Sequence, residues 1–148
     1  MLWSYKKFDE LTPHELYAIL QLRNDVFVVE QNCVFQDADN KDQYCFHVMG
    51  WEENNLVAYT RIVPPGISYA ESSIGRVVTS RNVRKKGTGK LLMQKTMEIL
   101  FDLFGKTDIK IGAQLYLKKF YESLGFYQSS DKYVEDGIEH IEMIYTSL

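Results

Sequence analysis

The chain has 148 residues, of which 45% are hydrophobic and 25% are charged, and this composition is that of a folded domain with a substantial core. Its formal net charge of −3 argues against a protein that binds nucleic acid through overall charge, so any anion-binding site must be local. The first residues, MLWSYKKFDEL, contain no apolar run long enough for a signal peptide or a membrane span, which favours a cytoplasmic location.

Neither the cysteines nor the acidic residues form a recognisable metal-binding motif. Cys33 and Cys45 lack a second pair and a histidine at zinc-binding spacing, so they are interpreted as reduced thiols. Asp37, Asp39 and Asp42 share one polar loop, but the glycine and the distal glutamate of a calcium-binding loop are missing. We therefore expect no metal cofactor.

The first half of the chain predicts a strand, a helix and a hairpin. Leu2 to Phe8 alternates in polarity and predicts a strand. Thr12 as N-cap and Pro13 at the first helical position predict a helix of three or four turns, whose end is not defined by the pattern. After a polar loop, CFHVMGWEENNLVAYTRIVPP predicts a hairpin that stops at the two prolines, and SSIGRVVTS predicts a further strand.

The second half predicts two helices separated by a strand. GKLLMQKTMEILFDLFG predicts a helix that ends at Gly105, and DIKIGAQ predicts the next strand. LYLKKFYESLGF predicts a shorter helix that ends at Gly125, and one or two strands around the EDG turn complete the chain. The order predicts an α/β (α+β) domain with a mixed, mostly antiparallel sheet flanked by helices, rather than a regularly alternating one.

A basic, glycine-containing loop joins a strand to a helix in RVVTSRNVRKKGTGKLL, from Arg76 to Leu92. A P-loop is excluded, because Arg84 stands where its first glycine should be and Leu91 where Ser or Thr should follow the lysine. A dinucleotide fingerprint fits poorly, because only Gly87 and Gly89 are present. The remaining pattern, Arg-x-x-Gly-x-Gly at a helix start, suits a pyrophosphate, although a solvated basic turn is an open alternative.

A second motif lies one strand beyond this helix. In AQLYLKKFYESLGF, Tyr121 stands one turn before the capping Gly125, where it is either a functional hydroxyl or a core aromatic. The two motifs in this order resemble the GNAT superfamily of N-acetyltransferases, and the element order extends the resemblance over nearly the whole chain. The segments LRNDVFVVEQNCVFQDADNKD, IGRVV and YVEDGIEHIEM resemble the ElaA-like subfamily.

The resemblance implies one acetyltransferase domain over residues 1–148, with acetyl-CoA as co-substrate. The strand before the basic loop would splay from its neighbour and pair with the pantetheine arm, while the loop would hold the pyrophosphate. Gln114 stands where the family usually has Asn. The coenzyme-A-binding residues implied in this way are Val77, Val78, Thr79, Arg84, Lys85, Lys86, Gly87, Thr88, Gly89, Lys90 and Gln114.

The resemblance also implies direct transfer of the acetyl group to a primary amine, without a metal. Tyr121 would protonate the leaving thiolate, since the pKa values of a phenol and a thiol lie in a similar range. An N–H of Val78 or Thr79 would stabilise the oxyanion.

The base that accepts the amine proton is not defined by the resemblance. The family carboxylate would fall near Ser73, where this chain has none. Glu71 and Glu30 are the first candidates, acting through water, and His140 and Glu142 follow.

The acceptor is predicted to be a small-molecule or peptide amine. The residues predicted to bind it are Arg23, Phe27, Asp39, Arg61 and His140. The acidic loop could instead be solvated, and the arginines could pair with Glu30 or with that loop.

Three alternatives remain beside this interpretation. The same first-helix and loop segments resemble acyl-homoserine-lactone synthases, although this chain is short for that family and keeps the coenzyme-A loop. A non-catalytic coenzyme-A-binding module is a second alternative. A nucleic-acid-binding role for RNVRKK is disfavoured, because no aromatic residues accompany the cations. The resemblance allows a homodimer through the terminal strands and predicts no membrane partner.

Overall fold

In the computed structural model, which describes residues 1–147, the chain forms two antiparallel sheets, with helices packed on both faces of the first. The first sheet contains, in spatial order, β1 (Leu2–Lys7), β2 (Phe46–Glu52), β3 (Asn55–Val63) and β4 (Ser73–Thr79). The second contains β5 (Ile109–Gln114), β6 (Tyr127–Gln128), β7 (Tyr133–Glu135) and β8 (Ile138–Tyr145), and β8 pairs with the other three. The predicted fold class is confirmed.

Three α-helices, four short 3₁₀ segments and one π-helix connect the strands of residues 1–147. The helices are α1 (Pro13–Arg23), α2 (Thr88–Phe104) and α3 (Lys118–Glu122). Short 3₁₀ segments lie at Phe8–Glu10, Asp42–Tyr44, Arg81–Val83 and Leu115–Leu117. No helix within residues 1–147 combines the length and apolar character that a membrane span requires.

The two sheets touch through β4 and β5 and then diverge. Their contact is a parallel bridge between Ser72 and Ile109, where the Lys110 N–H donates to the Ser72 carbonyl at 3.0 Å. Beyond this point the β4 edge faces an opening instead of a neighbouring strand. The predicted splay is therefore present, and it creates the space described below.

The chain enters α1 through a capping box and leaves it through a π-helical turn. The Thr12 hydroxyl accepts from the Glu15 N–H at 3.1 Å, and the Glu15 carboxylate accepts from the Thr12 N–H at 2.8 Å. After α1 the turns widen into a π-helix over Asn24–Glu30, in which the Gln31 N–H donates to the Val26 carbonyl at 3.1 Å. The capped start was predicted, whereas the π-helix was not.

Alternate residues of the central strands face two separate cores. Val48 and Ala58 face α2, whose buried stripe includes Leu92, whereas their neighbours Met49 and Tyr59 face α1. Every one of these side chains is almost completely buried. The sheet is thus fixed from both sides, and α2 ends where predicted, at Gly105 with φ +80°.

Two predicted elements differ from the structure near the end of the chain. The predicted helix over LYLKKFYESLGF is a 3₁₀ turn followed by only five α-helical residues. The final segment contributes three strands, β6, β7 and β8, where one or two were predicted. The EDG turn is confirmed: Asp136 and Gly137 have φ +50° and +77°, as a two-residue hairpin turn requires.

Candidate active site

The divergence of β4 from β5 opens a cavity of about 430 Å³. Its walls are β4, β5, the π-helix, the start of α2, α3 and the β7–β8 turn. Six of the eleven predicted coenzyme-A residues line it, namely Val77, Val78, Thr79, Arg84, Gly89 and Gln114. The other five lie on the adjoining basic loop and at the first residues of α2.

The basic loop turns into α2 at a residue with left-handed backbone geometry. Gly87 is the N-cap of α2 with φ +76° and provides no side-chain cap. The Leu91 N–H makes the first hydrogen bond inside the helix, to the Gly87 carbonyl at 3.1 Å, so the preceding N–H groups point outward. Gly89 lies against the Phe120 ring and lines the cavity.

Arg84 links this loop to β4 and to the π-helix through hydrogen bonds. Its guanidinium donates to both carboxylate oxygens of Glu30 and to the Thr79 carbonyl, the latter at 3.0 and 3.2 Å. Arg81 adds a bond to Glu30 at 3.0 Å. The hydrogen bond from Arg84, aided by Arg81, outweighs burial and holds the pKa of Glu30 below its ordinary value. Glu30 is therefore ill suited to the predicted role of base.

Tyr121 lies in the cavity wall with 6% of its surface exposed. Phe120 and Phe126 pack edge-on against its ring, at centroid distances of 5.1 and 6.0 Å. Burial, with a smaller effect of Tyr116, raises its pKa well above the ordinary phenol value.

Behind the cavity, a buried ion cluster begins at the last residue of α1. Arg23 has no exposed surface. Its guanidinium donates to the Asp37 carboxylate at 2.7 Å and to the Asp42 carboxylate at 2.8 Å. It also reaches the Asp37 backbone carbonyl at 3.2 Å. The alternative in which arginines pair with the acidic loop is the one observed, and Arg23 cannot also contact an acceptor as predicted.

The cluster continues into β3. Arg61 bonds both carboxylate oxygens of Asp39, at 2.8 and 2.9 Å, and shares Asp42 with Arg23 at 3.0 Å. Burial alone would raise the pKa of Asp42, but the hydrogen bonds and charges of the two arginines outweigh it and lower that pKa. Neither Arg61 nor Asp39 lines the cavity, so both predicted acceptor contacts are replaced by this ion pair.

The cluster ends on a β-bulge in β4. Register with β3 shifts between Tyr59 and Arg61, so that Arg76 and Val77 together lie opposite one residue of β3. Arg76 has φ +51°, which is uncommon for a residue with a Cβ. Its guanidinium donates to the Asp37 carboxylate at 2.8 Å and to the Asp37 carbonyl at 2.9 Å. The acidic loop thus holds the bulge at the cavity wall.

The remaining predicted residues divide between the cavity and other surfaces. Phe27 and His140, both predicted to bind the acceptor, line the cavity. Glu71 lies before β4 and does not line it, so its predicted role as base has no geometric support. Glu142 forms an ion pair with Lys110 at 3.3 Å.

Sequence reasoning missed several cavity residues, because neither the motifs nor the resemblance assigned a role to them. The missed residues include Gln31, Cys33, Phe35, Glu135 and Asp136. Gln31 accepts from the Gln114 amide at 3.3 Å, and the Cys33 thiol donates to the Asp136 carbonyl at 3.2 Å. Residues 1–147 contain no group of three or more His, Cys, Asp or Glu arranged to hold a metal ion.

Comparison with known proteins identifies the family. A family model described as an acetyltransferase (GNAT) domain matches residues 18–147, so the chain belongs to the GNAT acetyltransferase family. Protein ElaA of Escherichia coli strain K12 is 42% identical over 143 residues, which cover 95% of this chain and 94% of ElaA. The predicted ElaA-like resemblance is confirmed.

Solved structures agree with this assignment. The crystal structure of an acyl-CoA N-acyltransferase from Pseudomonas aeruginosa matches with a TM-score of 0.94 and 38% identity, over 98% of this chain and 99% of that one. The E. coli ElaA structure has a TM-score of 0.91 at 40% identity, over 97% and 98%. An aminoglycoside 6′-N-acetyltransferase complexed with coenzyme A shares the fold, with a TM-score of 0.74 at 17% identity over 100% and 98%.

The ion cluster should make folding sensitive to acid. The pKa values of Asp39 and Asp42 are lowered in the folded chain, because arginine bonds outweigh the opposing effect of burial. The stabilisation is therefore complete above a pH of about 5, and it is lost as the pH falls through the ordinary aspartate pKa of about 4 towards the lowered values. Urea unfolding should show a free energy of unfolding that falls between pH 5 and pH 2.

Asp42→Asn tests which residues cause this dependence. At pH 7 it should lower the free energy of unfolding by about 3 kcal/mol, since it leaves buried arginines short of a charge. The exposed Asp131→Asn should stay within about 0.5 kcal/mol of the parent. An Asp42→Asn protein with the parent's stability and acid profile would contradict a stabilising role for the cluster.

Proposed function

We propose that this protein transfers an acyl group, in the simplest case acetyl, from coenzyme A to a primary amine of a small molecule or peptide. The observation that carries the proposal is the opening between β4 and β5, which places the Gly89 end of α2 and the Tyr121 side chain on one cavity. Family membership supports acyl transfer in general. The aminoglycoside 6′-N-acetyltransferase that binds coenzyme A has the same fold.

The open edge of β4 suits the pantetheine arm of coenzyme A. On its other side β4 pairs with β3, whereas towards β5 the pairing stops at the Ser72–Ile109 bridge. Unpaired N–H and C=O groups along a strand edge bind an extended chain that carries amides. In the proposal, Val77–Thr79 binds pantetheine in this way, and one N–H of this stretch stabilises the oxyanion.

The start of α2 suits the pyrophosphate. The first-turn N–H groups of Thr88–Lys90 face outward, and the positive end of the helix dipole lies there. Lys85, Lys86 and Lys90 are exposed and add positive charge. Arg84 has a different role in the proposal: because Glu30 already binds its guanidinium, it shapes the loop rather than meeting phosphate.

Tyr121 suits the general acid that protonates the leaving thiolate. A phenol is protonated at neutral pH, so a proton is present when the C–S bond breaks, and burial makes Tyr121 a weaker acid than an exposed phenol. Phe120 and Phe126 pack against the Tyr121 ring and hold it in the cavity wall.

The lactone-synthase alternative relies on arginines of the first helix and β3 together with acidic residues of the loop. Arg23 and Arg61 pair with these acidic residues behind the cavity, so the cluster does not distinguish this alternative from a structural role. A non-catalytic coenzyme-A-binding module would use the same cavity. Binding and turnover must therefore be measured separately.

Calorimetric titration with acetyl-CoA tests the donor site. The parent protein should bind acetyl-CoA, and NADH should give no heat. Gly87→Val should weaken this binding at least tenfold, because a β-branched residue at φ +76° distorts the loop. Gly66→Val is the matched control, since Gly66 has φ +89° and open space around it but does not line the cavity. If Gly87→Val and Gly66→Val bind acetyl-CoA with equal affinity, the basic loop does not form part of the donor site.

Tyr121→Phe tests the general acid. The variant should lower kcat by about 10²–10³-fold, because it lacks the proton donor, while its affinity for acetyl-CoA stays near that of the parent. Tyr127→Phe is the control, because Tyr127 is half-exposed on β6. Thiol release measured with a chromogenic disulfide gives the rates. An unchanged kcat for Tyr121→Phe would exclude this role.

A further inference from the structure

The proposed acyl transfer requires a group that removes a proton from the acceptor, because a primary amine is an ammonium ion at neutral pH. The predicted carboxylates do not supply this group: Glu30 is neutralised by Arg84, and Glu71 does not line the cavity. His140 does line it, on β8 opposite Gln114 of β5, and only 9% of its surface is exposed.

The backbone fixes the tautomer of His140. Its Nδ1 lies 2.8 Å from the Ile138 carbonyl oxygen, and a carbonyl can only accept a hydrogen bond. Nδ1 therefore carries the hydrogen, and in the neutral ring Nε2 carries a lone pair. Tyr133 stacks on the ring at a centroid distance of 5.8 Å and an interplanar angle of 23°, which fixes its plane. Within residues 1–147, Nε2 has no hydrogen-bond partner.

A carboxylate faces this lone pair. Glu135 Oε2 lies 3.6 Å from His140 Nε2, which is too long for a hydrogen bond but suits an ion pair once Nε2 is protonated. In the neutral ring, Nε2 and the Glu135 carboxylate are both acceptors, and a proton placed on Nε2 would lie between them. Because 61% of the Glu135 side chain is exposed, this carboxylate also contacts solvent.

The charge at this end of the cavity is negative. Arg76 and Glu30 also line it, but each is paired with groups of opposite charge. Among the described residues, Asp136 has no ion-pair partner and Glu135 has none except His140. The β7–β8 turn thus presents two carboxylates beside a buried imidazole and attracts a cation rather than an anion.

We propose that His140, supported by Glu135, is the proton acceptor of the acyl transfer, and that the acceptor substrate is a cationic primary amine that enters over the β7–β8 turn. This inference rests on the proposed function and deepens it. Tyr121 and His140 would then divide the acid and base roles.

The proposed step is balanced in protons and bonds. The ammonium group gives one proton to His140 Nε2, directly or through one water, and becomes a neutral amine. Its nitrogen lone pair forms the C–N bond to the thioester carbonyl, and the C–S bond breaks. The thiolate takes the Tyr121 proton, and Tyr121 regains a proton from the new amide nitrogen through solvent. His140 releases its proton to solvent, so one proton is released per turnover.

Kinetics on variants test the base. With acetyl-CoA and propane-1,3-diamine as the probe amine, His140→Gln should lower kcat/KM by about 10²–10⁴-fold and lose the acid limb of the pH profile. Glu135→Gln should lower it by about tenfold. Glu139→Gln is the matched control, because Glu139 lies on the same hairpin and pairs with the exposed Lys132. A His140→Gln protein with the parent's kcat/KM and pH profile would overturn the proposal.

Chemical rescue separates a base from a structural residue. Imidazole added in solution should restore part of the rate of His140→Ala, because the side chain lines an accessible cavity. Imidazole should not restore the rate of Tyr121→Phe, because that variant lacks the proposed acid and not the base. Both variants should keep the parent's affinity for acetyl-CoA. Failure of rescue in a His140→Ala protein that is folded and binds acetyl-CoA would count against the base.

Nitrogen NMR gives a result that does not depend on turnover. Among the three histidines, His140 should show the Nδ1–H tautomer, whereas His47 should show Nε2–H, because its Nε2 faces the Asp42 carbonyl at 2.9 Å. Addition of propane-1,3-diamine should shift the His140 signals and leave those of His47 unchanged. An Nε2–H tautomer at His140 would overturn the proposal.

Two kinds of failure are distinguishable. If acetyl-CoA does not bind the parent protein, the proposed function is wrong, and so is the assignment of His140 as its base. If acetyl-CoA binds and an amine is acetylated, but His140→Gln retains the full rate, only the base assignment fails.

Discussion

The six-residue ion cluster behind the cavity is the constraint on which the site depends. Three arginines and three aspartates join the end of α1, the acidic loop, β3 and β4, and their formal charges cancel. Burying such charges is costly unless each is paired, so removing one member leaves others unpaired in a site with little water. The acidic loop, which has little regular structure, is therefore bonded to α1, β3 and β4 through its carboxylates. Its carboxylates are structural groups, not a rim that attracts substrate.

The cluster shapes the active site through one strained residue. Arg76 adopts φ +51° in β4, a conformation that costs free energy for a residue with a Cβ. Its bonds to Asp37 offset that cost and hold the bulge at the place where β4 turns its edge to the cavity. The splay from β5 then leaves backbone groups available to a ligand. The ion pair between Arg76 and Asp37 thus stabilises the cluster on one face of the first sheet and holds the β4 bulge beside the cavity.

Local patterns in the sequence predicted the elements that local interactions stabilise. The Thr12 N-cap of α1 and the end of α2 at Gly105 depend on residues within a few positions of each other, and both were confirmed. The bulge at Arg76 could not be predicted, because its partner Asp37 lies 39 positions away and no local signal marks it. The ion pair between Arg84 and Glu30, a predicted base, could not be predicted for the same reason, because 54 positions of the chain separate the two residues. Motifs thus located the cavity, while the charge state of its residues depended on the fold.

Once the internal pairs cancel, the charges that remain beside the cavity have opposite signs in two places. Lys85, Lys86 and Lys90 are exposed around the start of α2, and Glu135 and Asp136 lie at the β7–β8 turn. A field of this kind directs an anionic ligand to the start of α2 and a cationic ligand to the β7–β8 turn, and it disfavours the reverse orientation. Coenzyme A is anionic through its phosphates, and an amine acceptor is cationic before it loses its proton. The two proposed substrates would therefore approach over different walls of one cavity, which Tyr121 also lines.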